Sequence, residues 1–161
     1  MKIPSMKKSK KSEPKYMPAN KRIRVIIDTN LFISFLIGKR LATLKETLNN
    51  SAIELILSNQ HILELKLVTS RSKFKKYFNQ KDVNELIDLL FSIGKVVHLI
   101  NEPDVCRDSK DNFLLGLADN AKADYLVSGD KDLLEMVEYK KTKIVTADSF
   151  EKILNDINPT G

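Results

Sequence analysis

Short runs of aliphatic residues recur along this chain, and stretches with helical spacing separate them. Arg24–Ile27 is one such run, and it stops at Asp28. Ile53–Leu57, Val96–Ile100, Tyr125–Ser128 and Lys143–Thr146 repeat the pattern, which predicts about five strands. Between them Leu31–Leu48 reads as a helix with a break at Gly38. Asn59–Val68 reads as another, with Ser58 as its N-cap. Ser72–Phe78 and Val83–Phe91 follow, the latter ended by Gly94. Lys110–Lys122, Asp132–Val137 and Ser149–Ile157 complete the helices. Strands that are apolar at nearly every position are strands covered on both faces. Alternation of such strands with helices predicts a parallel sheet. The expected fold class is therefore α/β, a three-layer α/β/α sandwich around a central, mainly parallel sheet of about five strands. No internal repeat is visible.

Charge divides the chain differently. Residues 1–24 hold nine Lys/Arg and one acid, Glu13, a net +8; the remaining residues sum to −2. Pro4, Pro14 and Pro18 interrupt the first segment, and it lacks periodic apolar residues. Three parts are expected: a disordered basic arm at 1–21, a folded domain at 22–157 and a short tail at 158–161. A basic arm suits phosphates or the acidic face of a partner, so Lys7, Lys8, Lys10, Lys11, Lys21 and Arg22 are RNA-binding candidates. A solvated tail without a partner is the alternative. At 161 residues with 42% hydrophobic content the chain can bury a core, and its five Gly and five Pro exclude a linker-dominated protein. A lone cysteine, Cys106, excludes a disulfide framework and suits a reducing compartment. The charge-free stretch Leu31–Gly38 is far short of the roughly 20 apolar residues of a spanning helix. The charged N-terminus lacks the apolar segment of a secretory signal. These features predict a cytoplasmic protein that does not engage a membrane.

The chemistry lies in the acids. In open parallel sheets, ligands bind beyond the C-terminal ends of the strands. Two predicted strands end there in an acid: Asp28, followed by Thr29 and Asn30, and Asp130, preceded by Ser128 and Gly129. Each could simply cap the next helix. Asp111 falls inside the apolar arc of its helix, beside Leu115 and Ala118, with Asn112, Asp119 and Asn120 assigned to the opposite, polar side. A carboxylate directed at the sheet needs a partner. Asp108 precedes it by three residues, as a cap or as an accessory. Glu64 lies at the edge of its helix, either functional or paired with Lys66 or Arg71. His61 and His98 have no metal-ligand spacing and read as structural or surface residues. If four acids converge, two carboxylates about 4 Å apart repel by roughly 4 kcal/mol at an effective dielectric near 20. Such a cluster either stays partly protonated or recruits cations, and an all-oxygen site suits Mg²⁺ or Mn²⁺.

Several of these stretches resemble motifs of one family. Val25–Ser34 (Val-Ile-Ile-Asp-Thr-Asn-Leu-Phe-Ile-Ser) is similar to the opening motif of PIN domains. Ile62–Leu65 with Ser70–Phe74 resembles their second acidic motif, Cys106–Ala118 the third and Ala123–Leu134 the fourth. Ile144–Phe150 is similar to the closing strand and helix start. The branch it most resembles is the bacterial PIN-family toxin components of toxin–antitoxin pairs. The resemblance implies a metal-dependent endoribonuclease that leaves a 5′-phosphate and a 3′-hydroxyl. Carried over by position, the catalytic and metal-binding quartet is Asp28, Glu64, Asp111 and Asp130. Asp108, Thr29, Asn30, Ser128 and Asp132 are accessory. It further implies a Mg²⁺ or Mn²⁺ cofactor, an RNA substrate, a cognate antitoxin and a homodimer. The departures are Ser109 in place of a common Pro, Ser128 in place of Thr, and Gly116 in place of a better helix former, a change worth about 1 kcal/mol.

Two alternatives remain at this level. A non-catalytic RNA- or protein-binding module would use the acids only as caps, and an intact quartet argues against it. A phosphoaspartate phosphatase would start with Asp-x-Asp after the first strand, where this chain has Asp28-Thr29-Asn30.

Overall fold

The computed structural model describes residues 22–157. The basic arm and the C-terminal tail expected at 1–21 and 158–161, with Lys7, Lys8, Lys10, Lys11 and Lys21, lie outside them. The chain runs β1 (Ile23–Ile27), α1 (Thr29–Ile37), α2 (Leu41–Leu48), β2 (Ile53–Leu57), α3 (Asn59–Thr69), α4 (Gln80–Ile93), β3 (Lys95–Val96), α5 (Ser109–Ala121), β4 (Tyr125–Val127), α6 (Lys131–Met136), β5 (Glu138–Tyr139), β6 (Thr142–Val145) and α7 (Ala147–Ile157). The six strands lie in the order β3-β2-β1-β4-β6-β5. All neighbours are parallel except β5 and β6. The expected three-layer α/β/α class is the observed one.

Side chains of successive strand residues point to opposite faces. Val25 and Ile27 of β1 therefore join a core under α1, α2, α3, α4 and α7, while Ile26 joins a second core under α5 and α6. Val25 and Ile26 are fully buried, which explains why this strand is apolar at consecutive positions. Among the described residues, no helix is long and apolar enough to cross a membrane.

The break expected at Gly38 is present: α1 ends at Ile37, Gly38 caps it and Lys39 takes a left-handed φ of 55° before α2. Three other expectations change in detail. Ser72–Phe78 contains only one 3-10 turn, Ser72–Phe74. The strand expected over Val96–Ile100 pairs only through Lys95 and Val96, so His98 lies beyond it and is exposed. After Val97 donates to the Leu57 carbonyl at 2.8 Å, the chain leaves the sheet edge and crosses α5. The sixth strand, β5, pairs with β6 through Glu138↔Lys143 and Tyr139↔Thr142.

That crossing accounts for α5. Asp111 to Ala118 are all buried, because the 97–106 segment covers the outer side of the helix. Asn112, assigned from its spacing to a polar side, is buried instead. Its Oδ1 accepts from the Val105 and Cys106 amides at 3.1 and 2.8 Å, and its Nδ2 donates to the Cys106 carbonyl at 3.1 Å. Asn120 Oδ1 accepts from the Ile100 amide in the same way. Gly116 makes the approach feasible: a Cβ there would stand 2.9 Å from the Asn101 carbonyl oxygen and 2.9 Å from Leu99 Cδ1. Its poor helix propensity is thus offset by a contact that only glycine permits.

Candidate metal centre

The topology puts a crevice between β1 and β4. From β1 the chain moves to β2 and β3 on one side, and it returns through α5 to β4 on the other. This is a topological switch point, where neighbouring connections leave a gap beyond the strand ends. Ile27 and Val127 are register partners, so Asp28 and the Ser128–Asp130 turn emerge side by side. The Asp28 amide donates to the Val127 carbonyl at 2.9 Å. A helix that leads back into a parallel strand starts near the edge where strands end. The first turn of α5, carrying Asp111, is therefore delivered to the same crevice.

The acids at the strand ends do cap helices, but each cap uses one carboxylate oxygen. Asp28 Oδ1 accepts from the Asn30 amide at 3.1 Å, and Asp130 Oδ1 accepts from the Asp132 amide at 2.8 Å. Asp108 Oδ1 accepts from the Lys110 amide at 3.0 Å. The Ser128 hydroxyl joins the two strand ends. It donates to Asp28 Oδ2 at 2.9 Å and accepts from the Asp130 amide at 3.0 Å. Ser128, Asp28 and Thr29 are buried, so this arrangement is packed in place. Asn30 is exposed at the start of α1.

Asp111 behaves differently from the caps. It is 2% exposed, and among the described residues no hydrogen bond or ion pair reaches its carboxylate. Burial, followed by the charges of Asp130, Asp108, Asp28 and Asp132, raises its pKa from 3.8 to about 6. An acid displaced this far by removal from water and by like charges is one that a cation would stabilise. Carboxylate oxygens of Asp111, Asp130 and Asp132 lie within 4.8 Å of one another. This donor set is all oxygen and fits a hard divalent cation such as Mg²⁺ or Mn²⁺.

The three acids that converge are not the four expected. Asp132, ranked from the sequence as accessory, completes the trio. Its one ion pair, to Arg107 at 3.4 Å, is solvent-exposed and weak. Asp28 stands beside the trio, linked through Ser128. Asp108 is exposed, and its charge reaches Asp111. Glu64 pairs with neither Lys66 nor Arg71 but with Lys110, whose Nζ lies 3.1 Å from Glu64 Oε2. Burial works to lower the Lys110 pKa. The hydrogen bond and charge of Glu64, aided by Asp28 and Asp108, outweigh it and hold the ammonium above its ordinary value. Lys110 was not singled out from the sequence, although its place between Asp108 and Asp111 in a first helical turn was the available signal.

Two further groups border the centre. The Cys106 thiol is pushed up by burial and by the charges of Asp111, Asp130, Asp132 and Asp108, which disfavours its thiolate. His61 is buried, with Nδ1 3.2 Å from Ser58 Oγ and its ring edge-on to Phe113. Burial lowers its pKa to about 4, against a smaller opposing effect of the Ile27 backbone, so it is neutral at pH 7. It supports the packing behind the strand ends, as its spacing suggested. Arg22, the described member of the basic candidates, lies at the opposite edge of the sheet from these acids.

Comparison with known proteins bears on the same stretch. A family model described as PIN domain matches residues 24–132, a span that holds Asp28, Glu64, Asp108, Asp111, Asp130 and Asp132. The chain is also 30% identical over 128 residues to Uncharacterized protein MJ1680 of Methanocaldococcus jannaschii. The match covers 74% of this chain and 79% of that protein.

Proposed function

Because this chain belongs to the PIN-domain family, we propose that it is a Mg²⁺- or Mn²⁺-dependent endoribonuclease. The observation that carries the reading is the buried, unpartnered Asp111 within 4.8 Å of Asp130 and Asp132. Asp111, Asp130 and Asp132 would hold the ion, with Asp28 beside them. A divalent cation held by these residues would supply charge neutralisation for the carboxylates and Lewis acidity toward a phosphodiester and a water. The chain's own groups set the geometry. Ser128 ties Asp28 to the Asp130 turn, and Asp28 and Asp130 each accept from a helix amide through one carboxylate oxygen. Lys110 neutralises Glu64 and leaves two further donors free toward an RNA phosphate.

We also infer that the protein is the toxin of a toxin–antitoxin pair. The motif resemblance supports this, and so does the precedent within the chain: Lys110 already occupies Glu64. A cognate antitoxin that placed a basic side chain among Asp111, Asp130 and Asp132 would silence the centre by the same chemistry. The proposed setting is cytoplasmic, with a homodimer as the working assembly.

The binding-module alternative rests on one observation, that Asp28, Asp108 and Asp130 all cap helices. It leaves Asp111 unexplained, because that carboxylate caps nothing. The test is cleavage of a structured RNA pool by the wild type and by Asp111→Asn, with Mg²⁺, with Mn²⁺ and with EDTA. Metal-dependent cutting that disappears in the variant is the expected result. Equal cutting by both proteins, or an RNA-binding wild type that never cuts, would overturn the reading.

A further inference from the structure

A second charged feature lies at the opposite edge of the sheet. The strands β1, β4 and β6 are parallel, so their first residues share one edge, and the acids occupy the other. At that far edge a groove of about 510 Å³ is lined by Arg22, Arg24, Lys122, Lys141 and Lys143, with Asp124 as its one acid. Arg24 is engaged: its Nε pairs with Glu54 at 3.1 Å and its Nη1 donates to the Ala121 carbonyl at 2.8 Å. Asp124 is also engaged, since its Oδ2 accepts from the Arg24 amide at 2.8 Å. Arg22, Lys122, Lys141 and Lys143 are exposed, and among the described residues no ion pair neutralises them.

We propose that this groove is an RNA-backbone binding site, separate from the acid cluster, which adds affinity for long RNA to that of the cluster. The assignment of RNA rests on the nuclease reading; the requirement for a polyanion does not. Phosphates approaching the acids without a bound cation meet like charge, so cations placed elsewhere add attraction along the length of an RNA. The five residues of β1 separate the two poles by roughly 16 Å at about 3.3 Å per residue. A strand of RNA that touches both must pass around the helices covering the sheet, so only an RNA longer than a few nucleotides does so. Another basic stretch, Lys73–Lys76, is occupied differently: the ammonium groups of Lys73 and Lys76 each lie 5.2 Å from the ring of Phe74 or Tyr77.

The experiment uses the full chain in EDTA, so that binding is read without cleavage. A labelled single-stranded RNA of about 20 nucleotides is titrated by fluorescence anisotropy at several salt concentrations. The slope of log K against log salt is near −0.7 per phosphate neutralised on a single strand. Lys141→Gln/Lys143→Gln removes two exposed charges, so the slope should weaken by about 1.4 and affinity at low salt should fall about tenfold or more. Thermal melting of the variant should match the wild type. Cleavage of a four-nucleotide RNA in Mn²⁺ should be unchanged, while KM for the long RNA rises. An unchanged slope in that variant overturns the proposal, and so does a loss confined to Lys73→Gln/Lys76→Gln. Equal or tighter binding of a polyglutamate of matched charge would overturn the choice of RNA. Groove-dependent RNA binding by a protein that cuts nothing would sink the nuclease reading and leave this site standing. Cleavage of short RNA with unaltered long-RNA binding in the Lys141/Lys143 variant would do the reverse.

Discussion

Replacing Asp111 by Asn removes one charge from a buried cluster while keeping the side chain's shape. Above about pH 6 the wild-type carboxylate is ionised in both the folded and the unfolded chain, yet it is held at a disadvantage only in the folded one. Its pKa is raised from 3.8 to about 6, so the folded state binds the proton more tightly. The associated stability is fully present below pH 3.8, declines as pH rises through about 6, and is absent above it. A shift of about two units is worth about 3 kcal/mol. In EDTA near pH 8, Asp111→Asn should therefore be more stable than the wild type by about 2–3 kcal/mol. For a domain of this size that is roughly 5–10 °C in Tm. The advantage should shrink toward zero near pH 4. Mn²⁺ at about 1,000 times its Kd should reverse the order, because it then adds about 4.1 kcal/mol to the protein that binds it. Urea unfolding across pH, with and without metal, measures all three terms. The opposite pH slope contributed by His61 is common to both proteins and cancels in their difference. A variant no more stable than wild type at pH 8, or a gap that persists at pH 4, would refute the argument that Asp111 is destabilised by burial and like charge.

The remaining predictions are local. His61 has its pKa lowered from 6.5 to about 4, so its contribution to stability is present above pH 6.5 and is lost as pH falls through about 4. His61→Gln should flatten that acid limb by about 3 kcal/mol in urea titrations. Gly116→Ala should destabilise the fold by about 1–3 kcal/mol through its clash with the 97–106 crossing, although helix propensity alone predicts a gain of about 1. Equilibrium unfolding decides the sign. Ser128→Ala removes the hydroxyl between Asp28 and the Asp130 turn. It should lower RNA cleavage by roughly 10–100-fold in single-turnover assays while the protein still binds RNA.

The strand ends were readable because buried parallel strands are apolar throughout and stop abruptly at Asp28 and at Ser128, two residues before Asp130. The sequence pattern therefore located the crevice. It erred where a second partner decides the outcome. Val96–Ile100 is β-branched and apolar, but β3 is an edge strand with one neighbour, and Leu99 packs on α5 instead of extending the ladder. Asn112 falls on the polar side of α5 by spacing. Yet the crossing segment covers that side and uses the amide as its anchor. At the centre, the place of Asp132 below Glu64 follows from the motif resemblance; helical position alone does not show that Asp130 Oδ1 caps the Asp132 amide. Nor can it show that Lys110 reaches across from α5 to claim Glu64. The hairpin at β5 and β6 escaped notice because its turn uses Lys140, at a φ of 53°, where glycine or asparagine would have announced it.

The central claim is that Asp111, Asp130 and Asp132 form a divalent-cation site at the junction of β1 and β4. Anomalous diffraction from crystals of the full chain soaked in Mn²⁺ tests it directly. The account predicts one strong anomalous peak within about 2.0–2.3 Å of oxygens from Asp111 and at least one of Asp130 and Asp132, absent in Asp111→Asn. A peak elsewhere, or an empty crevice at millimolar Mn²⁺, would contradict it.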